Sequence, residues 1–378
     1  MTNRVSEPKL ERITRSGGYI MINLTRGVPA PESYAADVFA ACFAKAMKED
    51  GNRACAYNGA PGYPPLVELL AERCQVEPAQ VFLGNGSLEL FGFIAQTELQ
   101  PGDKVLVEGP SYDRTNLLLK RRGAIPIEIP LESDGVDLNA LEDAMKTDSP
   151  KIFYCIPDFQ NPTGTTMSTA KRKAVVELAE KYNVLIIEDS PYRSLRYFGT
   201  DLPELASFAN PDRVIRASSF SKTMAPGFRI GYIVGSAEIV KRVKAYAGNT
   251  YIAPGSIAQA AAYQFIKSGH FEPNLEKLKA LYRPRLIRTL ELLDERLSFA
   301  QYARPEGGFF VGVTLPEGND METLIPAAKA AGLNITDGRG FYLNPALGSR
   351  FLRIPFCGLN AKELEAAFEI LTPLVKGG

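Results

Sequence analysis

The sequence predicts an α/β fold in which a large layered domain surrounds a mostly parallel sheet and a smaller α+β domain sits beside it. Three observations predict it. Through the middle of the chain, short apolar runs alternate with helix-length amphipathic segments, the pattern of parallel strands joined by crossover helices. Several runs are apolar throughout, as expected for strands covered on both faces. The last third changes to long helices followed by isolated strands.

The runs at 104–108, 124–129, 151–156, 184–188, 214–217 and 230–234 read as strands. Between them lie helix patterns. Residues 87–99 follow an Asn85-Gly86 turn, residues 112–122 precede Gly123, and residues 168–182 open on Ser168. A serine there can cap the helix start. Further on, 256–268 and 272–297 read as helices, 308–315 and 350–354 as strands, and 361–375 as a closing helix. Pro-Gly pairs at 61–62, 101–102 and 226–227 mark turns. We expect a large domain over 46–280 and a small domain built from both chain ends, 1–45 and 281–378.

The 378 residues are 45% hydrophobic, enough for a sizeable core and more than one ordinary domain. With 43 basic and 43 acidic side chains, the chain has no electrostatic reason to bind nucleic acid or an anionic membrane. The five cysteines show no CxxC spacing, which argues against a disulfide framework and a zinc site. Cys42 and Cys155 sit in apolar runs, where a free thiol acts as a small hydrophobe. A reducing cytoplasm is the expected compartment. Residues 1–15 are charged and do not read as a secretory signal. No stretch approaches the roughly 20 apolar residues of a membrane span. His270 is the only histidine. A Ser-His-Asp site built on any other histidine is excluded, as is a multi-histidine metal site. We expect His270 to sit at a solvated helix C-terminus. Acid–base chemistry in this chain has to come from another residue type.

The most informative stretch runs Ser219-Phe220-Ser221-Lys222-Thr223-Met224-Ala225-Pro226-Gly227-Phe228-Arg229-Ile230-Gly231. Lys222 follows a strand end and sits among small hydroxyl residues. Desolvation there lowers an amine's pKa and frees its nucleophilic form, so Lys222 is a candidate for covalent catalysis. Ser219 and Arg229 can reach a phosphate, one with a hydroxyl and one with a planar charged fork. The alternative is a surface Lys and Arg in an ordinary loop.

This stretch resembles the Ser-x-Ser-Lys-x-x-x-Pro-Gly-x-Arg-x-Gly signature of the class I/II aminotransferases of pyridoxal 5'-phosphate (PLP) fold type I. The resemblance runs from about Asn23 to the C-terminal helix. It is closest to the subgroup of 2-aminoadipate aminotransferases and the aminotransferase-like domains of certain bacterial regulators. The resemblance implies a seven-stranded, mostly parallel central sheet and a Schiff base between Lys222 and PLP.

Other stretches match in the same order. Leu83-Gly84-Asn85-Gly86-Ser87-Leu88-Glu89 is a strand–turn–helix junction, whose free N–H groups and dipole favour an anion. The family holds the cofactor phosphate there, which assigns Gly86, Ser87 and Leu88. A plain helix cap is the alternative. The resemblance stacks Tyr112 on the pyridine ring, where core filler is the other reading. It has Asn161 and Tyr192 donate to the phenolic oxygen, and Asp189 pair with the pyridine nitrogen. Arg353 matches the arginine that binds the substrate α-carboxylate, and a guanidinium suits two carboxylate oxygens. Gly27, in Gly27-Val28-Pro29, matches the loop that closes over the substrate. Tyr57 matches a tyrosine that reaches the phosphate of the neighbouring subunit, which implies a homodimer with shared active sites.

Two departures concern the substrate side. Leu66-Val67 stands where the family often has Leu-Arg, and Asn274 or Leu275 where it often has histidine. The implied activity is transfer of an amino group from an L-amino acid to a 2-oxo acid, with Lys222 as general base. Lyases, decarboxylases and oxidases share the fold, and a PLP-binding sensor module is the alternative of another class. Side-chain preference falls to the neighbourhoods of Tyr34, Asn58 and Phe341. No metal is expected.

Overall fold

The structure is a computed structural model and describes residues 21–377. The charged segment 1–15 and the start of the expected small domain therefore lie outside the described residues. The chain begins with β1 (Ile22–Leu24), α1 (Ala36–Cys55) and α2 (Pro64–Cys74). Then come β2 (Val81–Gly84), α3 (Ser87–Glu98), β3 (Lys104–Gly109), α4 (Asp113–Arg122), β4 (Ile125–Glu132), β5 (Gly135–Val136) and α5 (Leu138–Asp148). The central alternation continues through β6 (Ile152–Cys155), α6 (Thr169–Lys181), β7 (Leu185–Asp189), β8 (Val214–Ser219) and β9 (Gly231–Val234). Three helices follow: α7 (Ala237–Tyr251), α8 (Ser256–Lys267) and α9 (Phe271–Arg296). The chain closes with β10 (Gln301–Tyr302), β11 (Phe310–Thr314), α10 (Met321–Ala330), β12 (Leu333–Ile335), β13 (Phe351–Pro355) and α11 (Ala361–Leu371).

The main sheet has the order β2-β9-β8-β7-β6-β3-β4-β5. It therefore holds eight strands, not the expected seven. The eighth, β5, is a two-residue strand paired antiparallel to β4 across Leu131↔Val136. Two residues are too few to leave a periodic signal in the sequence. Strands β4, β3, β6, β7 and β8 run parallel, and β9 runs antiparallel to both β8 and β2.

The burial explains why the strands read as apolar throughout. Successive side chains point to opposite faces. In β6, Ile152 and Tyr154 join a core with Leu90, Ile94 and Val243, while Phe153 and Cys155 join one with Leu141, Val175 and Val176. Helices thus cover both faces. Cys42 and Cys155 are buried as expected, and all five cysteines are free. Ser168 caps α6 by accepting from Lys171 N.

A third core joins α1, α2 and α8, where Phe39 packs on Phe265 with ring centroids 4.9 Å apart. Helix α1 crosses the expected domain boundary at residue 45, and its apolar side chains on both sides of that point bury in this one core. A fourth core gathers the chain ends, from Leu24 through β11 and β13 to α11. His270 is exposed and stands at the C-terminal end of α8, as expected: its backbone N donates to Phe265 O at 3.1 Å, and Gly269, at φ +76°, turns the chain there into α9. Among the described residues no helix is long and apolar enough to cross a membrane, and no metal-binding cluster occurs.

Candidate active site

A cavity of about 580 Å³ opens at the C-terminal ends of the strands, where parallel sheets bind ligands. Gly86, Ser87 and Leu88 line it from beyond β2, and Tyr112 from beyond β3. Asn161 reaches it from beyond β6, Asp189 and Tyr192 from the end of β7, and Ser219, Lys222 and Arg229 from β8 and the following loop. The small region adds Gly27 and Arg353. All these expected residues converge. Tyr57 does not line the cavity and is 85% exposed.

One end of the cavity is a backbone cradle. Gly86 adopts φ +113° at the start of α3, a conformation open to glycine. A Cβ on Gly86 would lie 2.4 Å from Arg229 Nη2, and one on Gly231 would lie 2.5 Å from Ser87 N. Both glycines therefore permit a close approach of chain to chain. Arg229 Nη2 donates to Asn85 O at 2.8 Å. Ser219 Oγ lies 2.8 Å from Ser221 Oγ and accepts from Ser221 N at 3.0 Å. Amides at a helix start, two hydroxyls and an arginine make an anion site. Ser221 also lines the cavity; the sequence analysis places it in the Ser-x-Ser-Lys signature without giving it a role.

The middle of the cavity is lined by buried polar groups. Asp189 Oδ2 accepts from Tyr154 Oη at 2.7 Å, while Oδ1 has no hydrogen-bond partner among the described residues. Burial pushes the Asp189 carboxyl up to about 6, with the Tyr154 hydrogen bond opposing. Asn161 Oδ1 accepts from Arg353 Nη1 at 2.8 Å. An arginine can only donate, so the Asn161 amide nitrogen is turned away from Arg353. Gln160, a neighbour of Asn161, donates to Glu108 Oε2 at 3.1 Å and to Pro110 O at 2.8 Å. Its Oε1 accepts from Thr163 N at 3.0 Å. This network ties the loop carrying Asn161 to the loop carrying Tyr112. Glu108 is fully enclosed, and burial pushes its carboxyl up to about 8. Tyr154, Glu108 and Gln160 were missed because they sit inside or beside apolar runs. A tyrosine within a fully buried strand was the available signal, since its O–H needs a partner.

The remaining side holds two cations. Lys222 Nζ donates to Gly27 O at 3.0 Å and lies 5.9 Å from the Tyr192 ring centroid and 5.7 Å from that of Phe309. Burial, the largest cause, lowers its pKa, and the nearby Arg353 and Arg229 charges lower it further. Arg353 is 7% exposed. It lies between two phenyl rings, 4.5 Å from the Phe310 centroid and 4.7 Å from that of Phe341. Its Nη2 donates to Thr25 O at 2.6 Å, and its Nε is buried without a partner among the described residues. Strand pairing of Gly312 with Arg353 sets it next to Phe310. Phe341 therefore belongs to the site. Tyr34 and Asn58 do not line it, and bond instead to Pro29 O and to Arg53 O and Ser256 Oγ.

A family model described as aminotransferase class I and II matches residues 19–371. The aromatic-amino-acid aminotransferase 1 of Thermococcus litoralis is 28% identical over 94% of this chain and 88% of its own. The 2-aminoadipate transaminase of Thermus thermophilus is 30% identical over 98% of this chain and 93% of its own. Among solved structures, the alpha-aminoadipate aminotransferase of Thermus thermophilus, complexed with N-(5'-phosphopyridoxyl)-L-leucine, superposes with a TM-score of 0.89. It is 29% identical, over 94% of this chain and 92% of that one.

Proposed function

The chain belongs to the class I and II aminotransferases, PLP enzymes of fold type I that move an amino group from an amino acid to a 2-oxo acid, and from that premise we propose that Lys222 is the lysine that holds the cofactor. The observation that carries this reading is the convergence of Lys222 Nζ, Arg353 and the unpartnered Asp189 Oδ1 in one cavity. The residues present fit the group. The cradle of Gly86, Ser87, Leu88, Ser219 and Arg229 suits its phosphate. Asp189 Oδ1 suits a protonated ring nitrogen, and Tyr112 offers a flat face. The Asn161 amide and the Tyr192 hydroxyl are the donors for its phenolic oxygen. When bound, PLP supplies an electron sink for the charge that develops at the substrate Cα.

The side chains divide the remaining work. Arg353 holds the substrate carboxylate with its two parallel donors. Fixing that group sets which Cα bond faces Lys222. Lys222 Nζ takes the Cα proton, and it returns a proton to that carbon when the 2-oxo acid is aminated. Burial that lowers the lysine's pKa favours the neutral amine needed for this. Phe310 and Phe341 keep water from Arg353. No histidine is required.

We also propose a cytoplasmic homodimer in which Tyr57 reaches the partner's phosphate site. Its 85% exposure at a distance from its own cavity supports this, and the five free thiols suit a reducing compartment. The two chain ends are proposed as a small domain, supported by the core in which both ends pack together. The large domain then includes α1 from residue 36 instead of starting at 46.

The test loads the protein with PLP, reduces it with borohydride and maps the modified lysine by mass spectrometry. It then follows 2-oxo acid formation from aromatic amino acids and 2-aminoadipate, the substrates named for the relatives. Modification at Lys222 and product from at least one donor are expected. A different modified lysine, or no uptake of PLP, overturns the assignment.

A further inference from the structure

Asp189 is a carboxylate with one oxygen committed and one held open. Its Oδ2 accepts from Tyr154 Oη at 2.7 Å, and Oδ1 is buried and unpartnered beside the cavity. Tyr154 is 1% exposed, and Thr115, also 1% exposed, lies beside its phenol and acts to lower the phenol's pKa. Its ring packs against Phe91 at a centroid distance of 5.0 Å. Thr115, Tyr154 and Asp189 thus form a buried chain running from α4 through β6 to β7.

The chain of donors has a consequence for Asp189. A carboxylate's terminal torsion is soft, and its two oxygens are equivalent. One fixed donor from one side removes that equivalence. A histidine in the donor's place would titrate near neutral pH. The single histidine of this protein is exposed and does not line the cavity. The phenol stays neutral there, because burial and the Asp189 charge raise its pKa well above the ordinary value.

We propose that Tyr154, backed by Thr115, is a positioning residue: its O–H fixes Asp189 so that Oδ1 alone meets the cofactor's ring nitrogen, and it holds that carboxylate ionised at neutral pH. The proposal rests on the PLP reading above and assigns a role to two residues that the sequence motifs do not touch. Burial already pushes Asp189 up to about 6, so removing the one donor raises it towards the working pH. A neutral Asp189 cannot keep the ring nitrogen protonated.

Tyr154→Phe keeps the ring and its packing and deletes only the hydroxyl. Two readouts are taken on the full chain. The first is the PLP dissociation constant, by fluorescence titration. The second is the nitrogen NMR shift of ¹⁵N-labelled PLP in the holoenzyme, followed between about pH 6 and pH 9. We expect affinity to weaken about tenfold, the scale of a hydrogen bond to a charged group. We also expect the ring nitrogen to titrate within that window in the variant and to stay protonated in the parent. Thr115→Val should move both readouts in the same direction by less, and it carries the test if Tyr154→Phe does not fold. Parent-like affinity and shift in the variants overturn the proposal. So does a loss of thermal stability with an unmoved resonance, which marks a structural role only. If the parent protein takes up no PLP at all, the cofactor reading fails first, and that result is distinct.

Discussion

The two walls of the cavity are built on different principles. On the strand-end wall, side chains partner one another across neighbouring strands: Tyr154 with Asp189, and Gln160 with Glu108. Among the described residues that line the cavity, one buried side-chain acceptor, Asp189 Oδ1, is left open. On the opposite wall, two cations lean on the main chain of a single segment. Lys222 donates to Gly27 O and Arg353 to Thr25 O, while the Thr336 hydroxyl also bonds to Thr25 O and the Cys357 thiol to Val28 O. Neutral carbonyls are weaker partners for cations than carboxylates are. The first wall turns one open buried acceptor, Asp189 Oδ1, towards the cavity, the place proposed above for a ring nitrogen. The second holds its charges with replaceable partners, as a wall must if substrates are to enter and leave.

Substitutions on the two walls should therefore separate cofactor uptake from substrate handling. The largest effect is expected at Lys222, which belongs to both. Lys222→Ala should cut amino transfer by at least about 10⁴-fold, the upper range for removal of a general base, because covalent attachment goes as well. Steady-state assays on the PLP-loaded variant check this. Arg353→Lys comes next. It keeps the charge but loses the planar fork, and kcat/KM should fall about 10–100-fold with the PLP dissociation constant unchanged. The bond from Arg353 Nη1 to Asn161 Oδ1 bridges the walls through side chains. A parallel loss of PLP affinity would show that this bridge makes them a single unit and would break the comparison.

A smaller effect is expected at Gly27. A Cβ there would lie 2.2 Å from Phe310 Cζ, so Gly27→Ala must push the segment or the ring aside, at a cost of about 1–3 kcal/mol. KM should rise about tenfold with cofactor uptake intact, and paired titrations with donor and PLP separate the two. The glycine's role on this wall was legible only through family resemblance, because the clash depends on a ring 283 positions away in sequence. The same limit governs the rest of the reading. Strand ends, turns and the lysine stretch are local patterns, and each was found close to its observed place. Strand β5 is too short to register, and α1 carries no mark at residue 45 to say which core it joins. Arg353 between Phe310 and Phe341, and Tyr154 under Asp189, are pairings across strands and loops that no local period encodes. Tyr154 alone left a trace, as a phenol inside an apolar run.

The smallest effect expected on activity concerns charge on the strand-end wall, and it is read as stability in the ligand-free protein. Glu108 is buried with its carboxyl pushed up to about 8, mainly by desolvation, against an unfolded value near 4.3. Between about pH 4.3 and pH 8 the folded chain therefore holds a proton that the unfolded chain has released. The stability that Glu108 contributes is fully present below the lower value and is lost as pH rises through the upper one. Glu108→Gln keeps an acceptor for Ile156 N and Gln160 Nε2 and removes the titration. The variant should match the parent near pH 4 and gain on it as pH rises, levelling off above about pH 8 at a difference on the order of a few kcal/mol. Denaturant midpoints across that range measure it. Parallel profiles would mean that Glu108 is ionised in the fold beside Asp189. The strand-end wall would then carry two buried negative charges and would owe its order to the cofactor, not to its own hydrogen bonds.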